Sequence, residues 1–334
     1  MPLSPDHLRP RRLQTVQARA FTIIEMMAAA AISIVLIGTL LTMVNHITKI
    51  WVQASSNIES FGAATATFNT MTRKLSQAVL NTYWSYDNPQ RPTKYVRASE
   101  LHFVVGKTSQ LLGLPEVQYP GSAIFFQAPL GRTLDGKTSK LTSRLNATGF
   151  FTVFGDTPSV PSVVQSVVPA RPRFRLYEWM EPTGDLSVYS APTGMDWFKA
   201  DASQGSASDN LSVMGSNLIG FFILAEYPQP NGTWKRSYSY NSRDAANEDT
   251  LNQLPPRLRI VLAAIDDASA SRLAAKYGSA APPVAPPSGK FVNPDEFESD
   301  LENWKTALQG QVPKVNWRIF STTIQIPNSR WSVQ

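Results

Sequence analysis

The sequence of 334 residues contains no cysteine and only three histidines. Without cysteine there are no disulfides, no thiol catalysis and no cysteine-ligated metal sites. His7 and His46 lie in or beside the N-terminal segment, which leaves His102 as the only other histidine. A histidine-based triad and a multi-histidine metal site are therefore nearly excluded, and we expect no metal and no cofactor.

Motifs for nucleophilic catalysis and phosphate binding are missing as well. The sequence has no Gly-x-Ser-x-Gly motif, and no histidine follows His102. Gly106-Lys107-Thr108 matches the end of a phosphate-binding loop, but Leu101 stands where that motif needs its first glycine. We therefore predict that the protein is not an enzyme.

An excess of basic residues gives little support for a nucleic-acid partner. The net charge is +6, and the first twenty residues, with four arginines against one aspartate, carry +3 of it. Such a local excess is not the extended basic face that nucleic acids select. No nucleic-acid partner is predicted.

One long apolar run is present near the N-terminus. Residues 21–44 are apolar apart from Glu25 and a few hydroxyl residues, and 24 helical residues at about 1.5 Å each exceed the roughly 30 Å of a bilayer core. Four arginines precede the run, whereas Lys49 is the only basic residue between it and Arg73. This asymmetry predicts a single-pass membrane helix with a cytoplasmic N-terminus and an extracytoplasmic C-terminal part.

Two simpler interpretations of the run remain. A cleaved secretory signal would use Val52-Gln53-Ala54, but that site follows Lys49 and Trp51, and the run is longer than such signals. A plain uncleaved anchor accounts for every residue except Glu25.

The carboxylate of Glu25 needs a partner if it enters a bilayer. An ionised residue there costs on the order of 2.5 to 3.5 kcal/mol, and the run contains no basic residue. Cleavage between Ala20 and Phe21 would create an α-amino cation near the depth of Glu25. In a single helix this amine points away along the axis, whereas the amine of a neighbouring, staggered helix can meet the carboxylate.

The segment Phe21-Thr22-Ile23-Ile24-Glu25, placed after a short basic leader, resembles the N-terminal signature of type IV pilins and pseudopilins. The resemblance implies that a prepilin peptidase cuts after Ala20 and methylates the amine of Phe21. It also implies that Thr22 and Glu25 act in assembly. The family usually has glycine where this chain has Ala20.

The same resemblance implies a structural subunit of a type IV pilus-like or type II secretion pseudopilus filament. Its partners would be other pilin or pseudopilin subunits, the prepilin peptidase and inner-membrane lipid, with the globular part in the periplasm before extraction into the filament. A long helix followed by a sheet also resembles J-type minor pseudopilins and Verru_Chthon cassette proteins. The alternative is a membrane-anchored binding or adhesion module that does not polymerise.

Helical periodicity continues beyond the apolar run. Apolar residues recur at steps of three, four or seven up to about Leu80, which predicts a single long helix whose second half packs on a globular domain. We therefore divide the chain into a leader (1–20), a membrane half of the helix (21–44), an amphipathic half (45–84) and a β-rich extracytoplasmic domain (85–334).

The remaining sequence predicts an α+β fold: a long N-terminal helix packed on a mainly antiparallel sheet. A hairpin over residues 173–190 and two short helices, at residues 267–277 and from Asn293-Pro294 onward, are also predicted, the second with the apolar stripe Phe297, Leu301, Trp304 and Leu308. The segments 157–172, 201–209 and 278–289 are expected to be loops. The predicted strands cover residues 100–105, 123–127, 174–179, 186–189, 218–225, 257–264 and 317–326.

Two residue groups have open roles. The acids Asp295, Glu296, Glu298, Asp300 and Glu302 are interpreted as a helix start stabilised by the helix dipole, with a calcium site as the alternative. Exposed aromatic residues can serve adhesion, sugar stacking or filament contacts, and the candidates are Trp84, Trp197, Trp234 and Trp331.

Overall fold

The computed structural model describes residues 22–133, 143–156, 172–184, 186–191, 194–203, 208–287 and 289–332. The chain divides into two compact units, Met1–Ala54 and Ser55–Gln334, which are described separately. The predicted leader, Ala20 and Phe21 lie outside the described residues, as does nearly all of the predicted loop 157–172.

The first unit contains the beginning of helix α1, Ile23–Leu75. Within it, Ile23–Val52 is the one stretch of the described chain that is long and apolar enough to cross a membrane. This stretch of 30 residues extends beyond the predicted membrane half (21–44), because the apolar character continues past Val44 through Ile47, Ile50 and Trp51.

The second unit begins with the rest of α1, which packs one face into the globular core. Ala64, Phe68, Met71 and Leu75 are buried at steps of four, three and four residues, as the helical period requires. The Thr67 hydroxyl donates a hydrogen bond to the Met214 carbonyl oxygen at 3.0 Å. The predicted apolar stripe is thus confirmed in this half of the helix.

Helix α1 ends at Leu75, so the predictions that it reaches about Leu80 and that the amphipathic half extends to residue 84 are wrong. The chain turns after Leu75, and the Val79 N–H donates to the Gln127 carbonyl oxygen at 2.9 Å. Asn81 then adopts a left-handed conformation with φ of 49°. Pairing with a strand therefore takes the backbone away from the helical path.

The strands form three antiparallel sheets in the part of the chain that the structure describes. A two-stranded ribbon has the order β1-β2, a six-stranded sheet β10-β3-β4-β5-β6-β7, and a four-stranded sheet β12-β11-β8-β9. Their bounds are β1 Tyr83–Tyr86, β2 Tyr95–Ala98, β3 Val104–Lys107, β4 Ser122–Pro129, β5 Leu145–Gly155, β6 Arg173–Glu181, β7 Leu211–Ser216, β8 Leu218–Pro228, β9 Trp234–Ser237, β10 Tyr240–Asn241, β11 Arg257–Ile265 and β12 Trp317–Gln325.

The described residues also contain four shorter helices. They are α2 Thr108–Leu112, α3 Asp196–Ala202, α4 Asp267–Tyr277 and α5 Phe297–Gln309. The α+β prediction, with a long N-terminal helix and antiparallel sheets, is confirmed.

Strand β8 is buried on both faces and separates two hydrophobic clusters. Phe221 and Ile223 point into the first core with α1 and the six-stranded sheet, whereas Phe222 and Leu224 point into the second core with α4 and α5. This explains the unbroken apolar sequence of β8, because a strand covered on both faces does not alternate.

Both predicted short helices are confirmed. The Asp266 side chain caps α4 by accepting the Ser269 N–H at 2.8 Å. In α5, the predicted stripe Phe297, Leu301, Trp304 and Leu308 is buried in the second core. Gly220 faces this helix, and a Cβ placed there would lie 2.5 Å from Trp304 Cη2, so glycine allows the indole to approach the sheet.

The predicted hairpin over residues 173–190 is wrong. Strand β6 pairs with β5 and β7 instead, and residues 187–189 form a single 3₁₀ turn. The Glu181 carboxylate accepts hydrogen bonds from the Ser187 N–H at 3.0 Å and the Ser187 hydroxyl at 2.5 Å. These bonds turn the chain away from β6, so no return strand forms. The predicted strand at 100–105 begins later, at Val104.

Candidate functional site

The first turn of α1 contains a reciprocal hydrogen-bonded pair. The Thr22 N–H and hydroxyl both donate to Glu25 Oε2, at 2.9 and 3.0 Å, and the Glu25 N–H donates to Thr22 Oγ1 at 3.3 Å. This is a capping box, in which a Thr and a Glu three residues later satisfy free N–H groups at a helix start. The structure thus brings together the two residues predicted to act in assembly.

The Glu25 carboxylate has no basic partner in the described chain. No Lys, Arg or His nitrogen of those residues lies within 4 Å of it, and both Thr22 and Glu25 are exposed. Its Oε1 has no hydrogen-bond partner among the described residues. The arrangement leaves one carboxylate oxygen and the negative charge free for a group from outside the described chain.

Ala20 and Phe21 cannot be placed against this geometry because they lie outside the described residues. Cleavage between them and methylation of Phe21 stay predictions. The capping box is readable in the sequence as Thr22-x-x-Glu25, and these are the same two residues that the pilin resemblance assigns to assembly.

Between Glu25 and Val44, helix α1 carries only apolar and hydroxyl side chains on all of its sides. From Ile23 to Val52, none of the side chains that the structure describes is buried. A helix that is apolar all round belongs in a lipid core or among other such helices. The large exposed side chains are Ile23, Ile24, Met26, Met27, Ile32, Ile34, Val35, Leu36, Ile37, Leu40, Leu41, Met43, Val44, Ile47, Ile50, Trp51 and Val52.

No family model and no curated protein matches this chain. Among solved structures it is similar to a type IV-like pilin from Thermus thermophilus, with 14% sequence identity and a TM-score of 0.34, over 80% of this chain and 96% of that one.

In the globular unit, His102 is a structural residue. The Trp197 indole N–H donates to its Nδ1 at 2.9 Å, and its Nε2 hydrogen-bonds Asn241 Oδ1 at 2.7 Å. Burial lowers the pKa of His102 to about 4, so the ring is neutral near pH 7. Trp197 is buried in this network, which corrects its prediction as an exposed aromatic.

The acidic group around α5 is divided among separate partners. Asp300 is buried and accepts the Phe291 N–H at 2.7 Å, while Glu298 and Glu302 pair with Arg259 and Lys305, each at 2.5 Å. The described residues contain no group of three or more His, Cys, Asp or Glu side chains placed to hold a metal. A helix start with a solvated acidic face agrees with these contacts.

Proposed function

We propose that this chain is a non-enzymatic, pilin-like structural subunit. It inserts through α1, is cut between Ala20 and Phe21, and joins a type IV pilus-like filament or a type II secretion pseudopilus. One observation carries the proposal: Glu25 is a lone carboxylate near the start of the exposed apolar stretch Ile23–Val52, and its described contacts include no base. A membrane segment of this kind requires a counter-charge from elsewhere.

The proposed mechanism is pairing between subunits. Cleavage frees the α-amino group of Phe21, and the neighbouring subunit's Glu25 neutralises it when two helices lie staggered. Each subunit then provides one cation and one carboxylate, so the pairing repeats along a filament. Inner-membrane lipid holds the apolar helix before assembly, and the prepilin peptidase is the processing partner.

The capping box lowers the free-energy cost of keeping Glu25 ionised before the subunits pair. Before assembly, Thr22 supplies two hydrogen bonds to Glu25, which reduces the cost of holding an ionised carboxylate in an apolar medium. Because Oε1 is unpartnered in the described chain, a neighbouring amine can bind there without breaking the box. Intrasubunit capping and intersubunit pairing are therefore compatible.

The processing step is tested by the N-terminal residue and intact mass of the mature chain. An N-methylated Phe21 is expected. An intact Met1 in a filament-producing strain, or a mature start near Ser55, would refute the proposal.

The assembly step is tested by Glu25→Val in the full chain. We expect normal membrane insertion and a loss of at least about tenfold in filament recovery, since the partner amine then lacks its counter-charge. Thr42→Val is the matched control, because it also removes a polar group from the same exposed helix. If Glu25→Val assembles as well as the control, Glu25 does not pair the subunits. If the natural chain and the control insert but yield no filament, the chain is an anchored binding module instead.

A further inference from the structure

The β1-β2 ribbon ends in a turn with an ordered set of hydrogen bonds. Asp87 Oδ1 accepts the Thr93 N–H at 2.9 Å and the Lys94 N–H at 3.2 Å, and its Oδ2 accepts the Thr93 hydroxyl. Asn88 Oδ1 accepts the N–H groups of Gln90 and Arg91, at 2.9 and 3.2 Å. Hydrogen bonds from Thr93 hold the pKa of Asp87 well below its usual range. The Asp87 carboxylate therefore stays ionised, and its hydrogen bonds order the turn.

The base of the ribbon is fixed to the globular unit. The buried Arg97 guanidinium donates to the Ser332 carbonyl and hydroxyl oxygens at 3.1 and 2.9 Å, and to the Glu248 carbonyl oxygen at 2.5 Å. The ribbon is thus a preformed element that loses little freedom when a partner binds.

One face of the ribbon carries exposed aromatic rings. Trp84 pairs across the ribbon with Arg97, and Tyr86 pairs with Tyr95, so Trp84, Tyr86 and Tyr95 share a face. Their exposed fractions are 58%, 49% and 63%, and the two tyrosine rings stack at 5.0 Å. Trp and Tyr on a rigid support are the residue types that dominate protein interfaces.

Two cations flank these rings. Arg91 lies in the turn and Lys94 directly precedes β2, and both are exposed. No acidic side chain of the described residues lies within 4 Å of either. The nearest acids along the ribbon are Asp87, which is held in the turn, and Glu100, which hydrogen-bonds the Tyr83 hydroxyl at 3.4 Å. The tip of the ribbon, residues 84–95, is therefore an aromatic surface on which the two unpaired cations outnumber the single carboxylate of Asp87.

The same chain carries a surface of opposite charge. Asp295 and Glu296 lie in the 3₁₀ turn Pro294–Glu296 that directly precedes α5, and both are exposed. Glu298 and Glu302 follow in α5, where they pair with Arg259 and Lys305. Neither Asp295 nor its neighbour Glu296 has a basic partner within 4 Å among the described residues. This acidic start of α5 is complementary to the ribbon tip.

The two surfaces belong to different layers of the globular unit. Leu80 and Leu101, which flank the ribbon, are in the first core. Phe297 and Leu301 of α5 are in the second core, on the other face of the four-stranded sheet. Two different patches on one chain make a heterologous contact, which continues from copy to copy instead of closing as a twofold dimer.

We propose that the ribbon tip of one copy docks on the acidic start of α5 in the next copy. Arg91 and Lys94 pair with Asp295 and Glu296, while Trp84, Tyr86 and Tyr95 supply the apolar contact area. This inference rests on the proposed filament function and names a contact between its globular units.

The test uses the absence of cysteine in the natural sequence. Full-length chains carrying Gln90→Cys and Ser299→Cys are prepared separately, mixed in mild detergent and oxidised. We expect a disulfide-linked dimer from the mixture and none from either chain alone, because the contact places position 90 of one copy against position 299 of the next and each variant carries a cysteine at only one of these positions. A chain carrying both cysteines should give a ladder of oligomers.

Charge reversal supplies the matched control. Arg91→Glu with Lys94→Glu should lower the dimer yield on the order of tenfold, and Asp295→Lys with Glu296→Lys in the partner should restore it. All four positions are exposed, so circular dichroism should show unchanged folding. Asn231→Cys, in the exposed β8-β9 turn, is the negative control. When it takes the place of Ser299→Cys in the mixture, no disulfide with Gln90→Cys should form.

Several results would overturn the inference: equal yields with Asn231→Cys, linking of Gln90→Cys to itself, or a yield that ignores charge reversal. Filaments that assemble and carry N-methyl-Phe21 without this cross-link would sink the docking contact and leave the proposed function intact. An unprocessed N-terminus without filaments would instead count against the proposed function.

Discussion

Acidification from pH 7 to pH 5 should destabilise the globular unit through one residue, His102. Its ring is completely buried. Because the Trp197 N–H donates to Nδ1, the ring proton is on Nε2 and points at Asn241 Oδ1. A second proton would have to sit on Nδ1, facing the indole N–H, with the Arg243 cation nearby. Burial is the largest cause of the lowered pKa of about 4, and the Asn241 hydrogen bond opposes it.

The magnitude follows from the difference between folded and unfolded pKa values. An unfolded histidine titrates near pH 6.5, so between pH 6.5 and 4 the unfolded chain binds more protons than the folded one. Stability is therefore complete above about pH 6.5 and falls as the pH drops towards the folded pKa of about 4. The linkage relation gives a loss of about 2 kcal/mol at pH 5 and about 3 kcal/mol in total.

The assay is urea unfolding of the full chain in detergent, followed by tryptophan fluorescence at pH 7, 6 and 5. His102→Gln should lower the stability at pH 7, since Gln fits the two partners poorly, but it should remove most of the pH slope. His46→Gln is the control because His46 is exposed on α1. A wild-type stability that is flat between pH 7 and 5, or a slope that survives in His102→Gln, would refute the assignment.

Three further predictions concern the globular unit, each measured by urea unfolding at pH 7. Gly220→Ala should cost about 1 to 3 kcal/mol because its Cβ meets Trp304 Cη2 at 2.5 Å, whereas Gly155→Ala, with nothing within 4 Å, should change little; equal effects would contradict this packing. Asp266→Ala should lower the stability by about 1 kcal/mol because α4 loses its N-cap, and Asp266→Asn should retain most of the capping stabilisation. An Asn variant as unstable as the Ala variant would argue against capping. Lys74→Met should cost about 1 to 3 kcal/mol, since Glu178 is only 9% exposed and loses its 2.5 Å partner; Lys74→Arg should be milder, and the reverse order would be evidence against this ion pair.

Long apolar patterns were predictable, and elements fixed by side-chain contacts were not. Strand β5 escaped prediction because Asn146-Ala147-Thr148-Gly149 looks like a turn. In the structure the buried Asn146 amide binds the Arg132 and Glu181 carbonyl oxygens at 2.8 and 3.0 Å. Gly149 is required because a Cβ would lie 2.2 Å from the Phe125 ring. Both features depend on partners distant in sequence, which local patterns do not report.

The candidate site divides in the same way. Thr22 and Glu25 were recognisable because they belong to one short contiguous motif that resembles the pilin signature, and their roles in assembly stay predictions. The ribbon tip was not predicted, because its shape depends on the pairing of two short strands. Its exposed rings share a face through the strand register, and its cations are free because no acid of the described residues lies within 4 Å of Arg91 or Lys94.

The shared strand β8 has a consequence for how the globular unit comes apart. Alternate side chains of this one strand belong to the first and second cores. If the strand leaves the sheet, apolar side chains of both cores become exposed to solvent together, so neither core can unfold without the other. Fluorescence from Trp179, on the first side, and Trp304, on the second, should therefore lose its native signal at the same urea concentration.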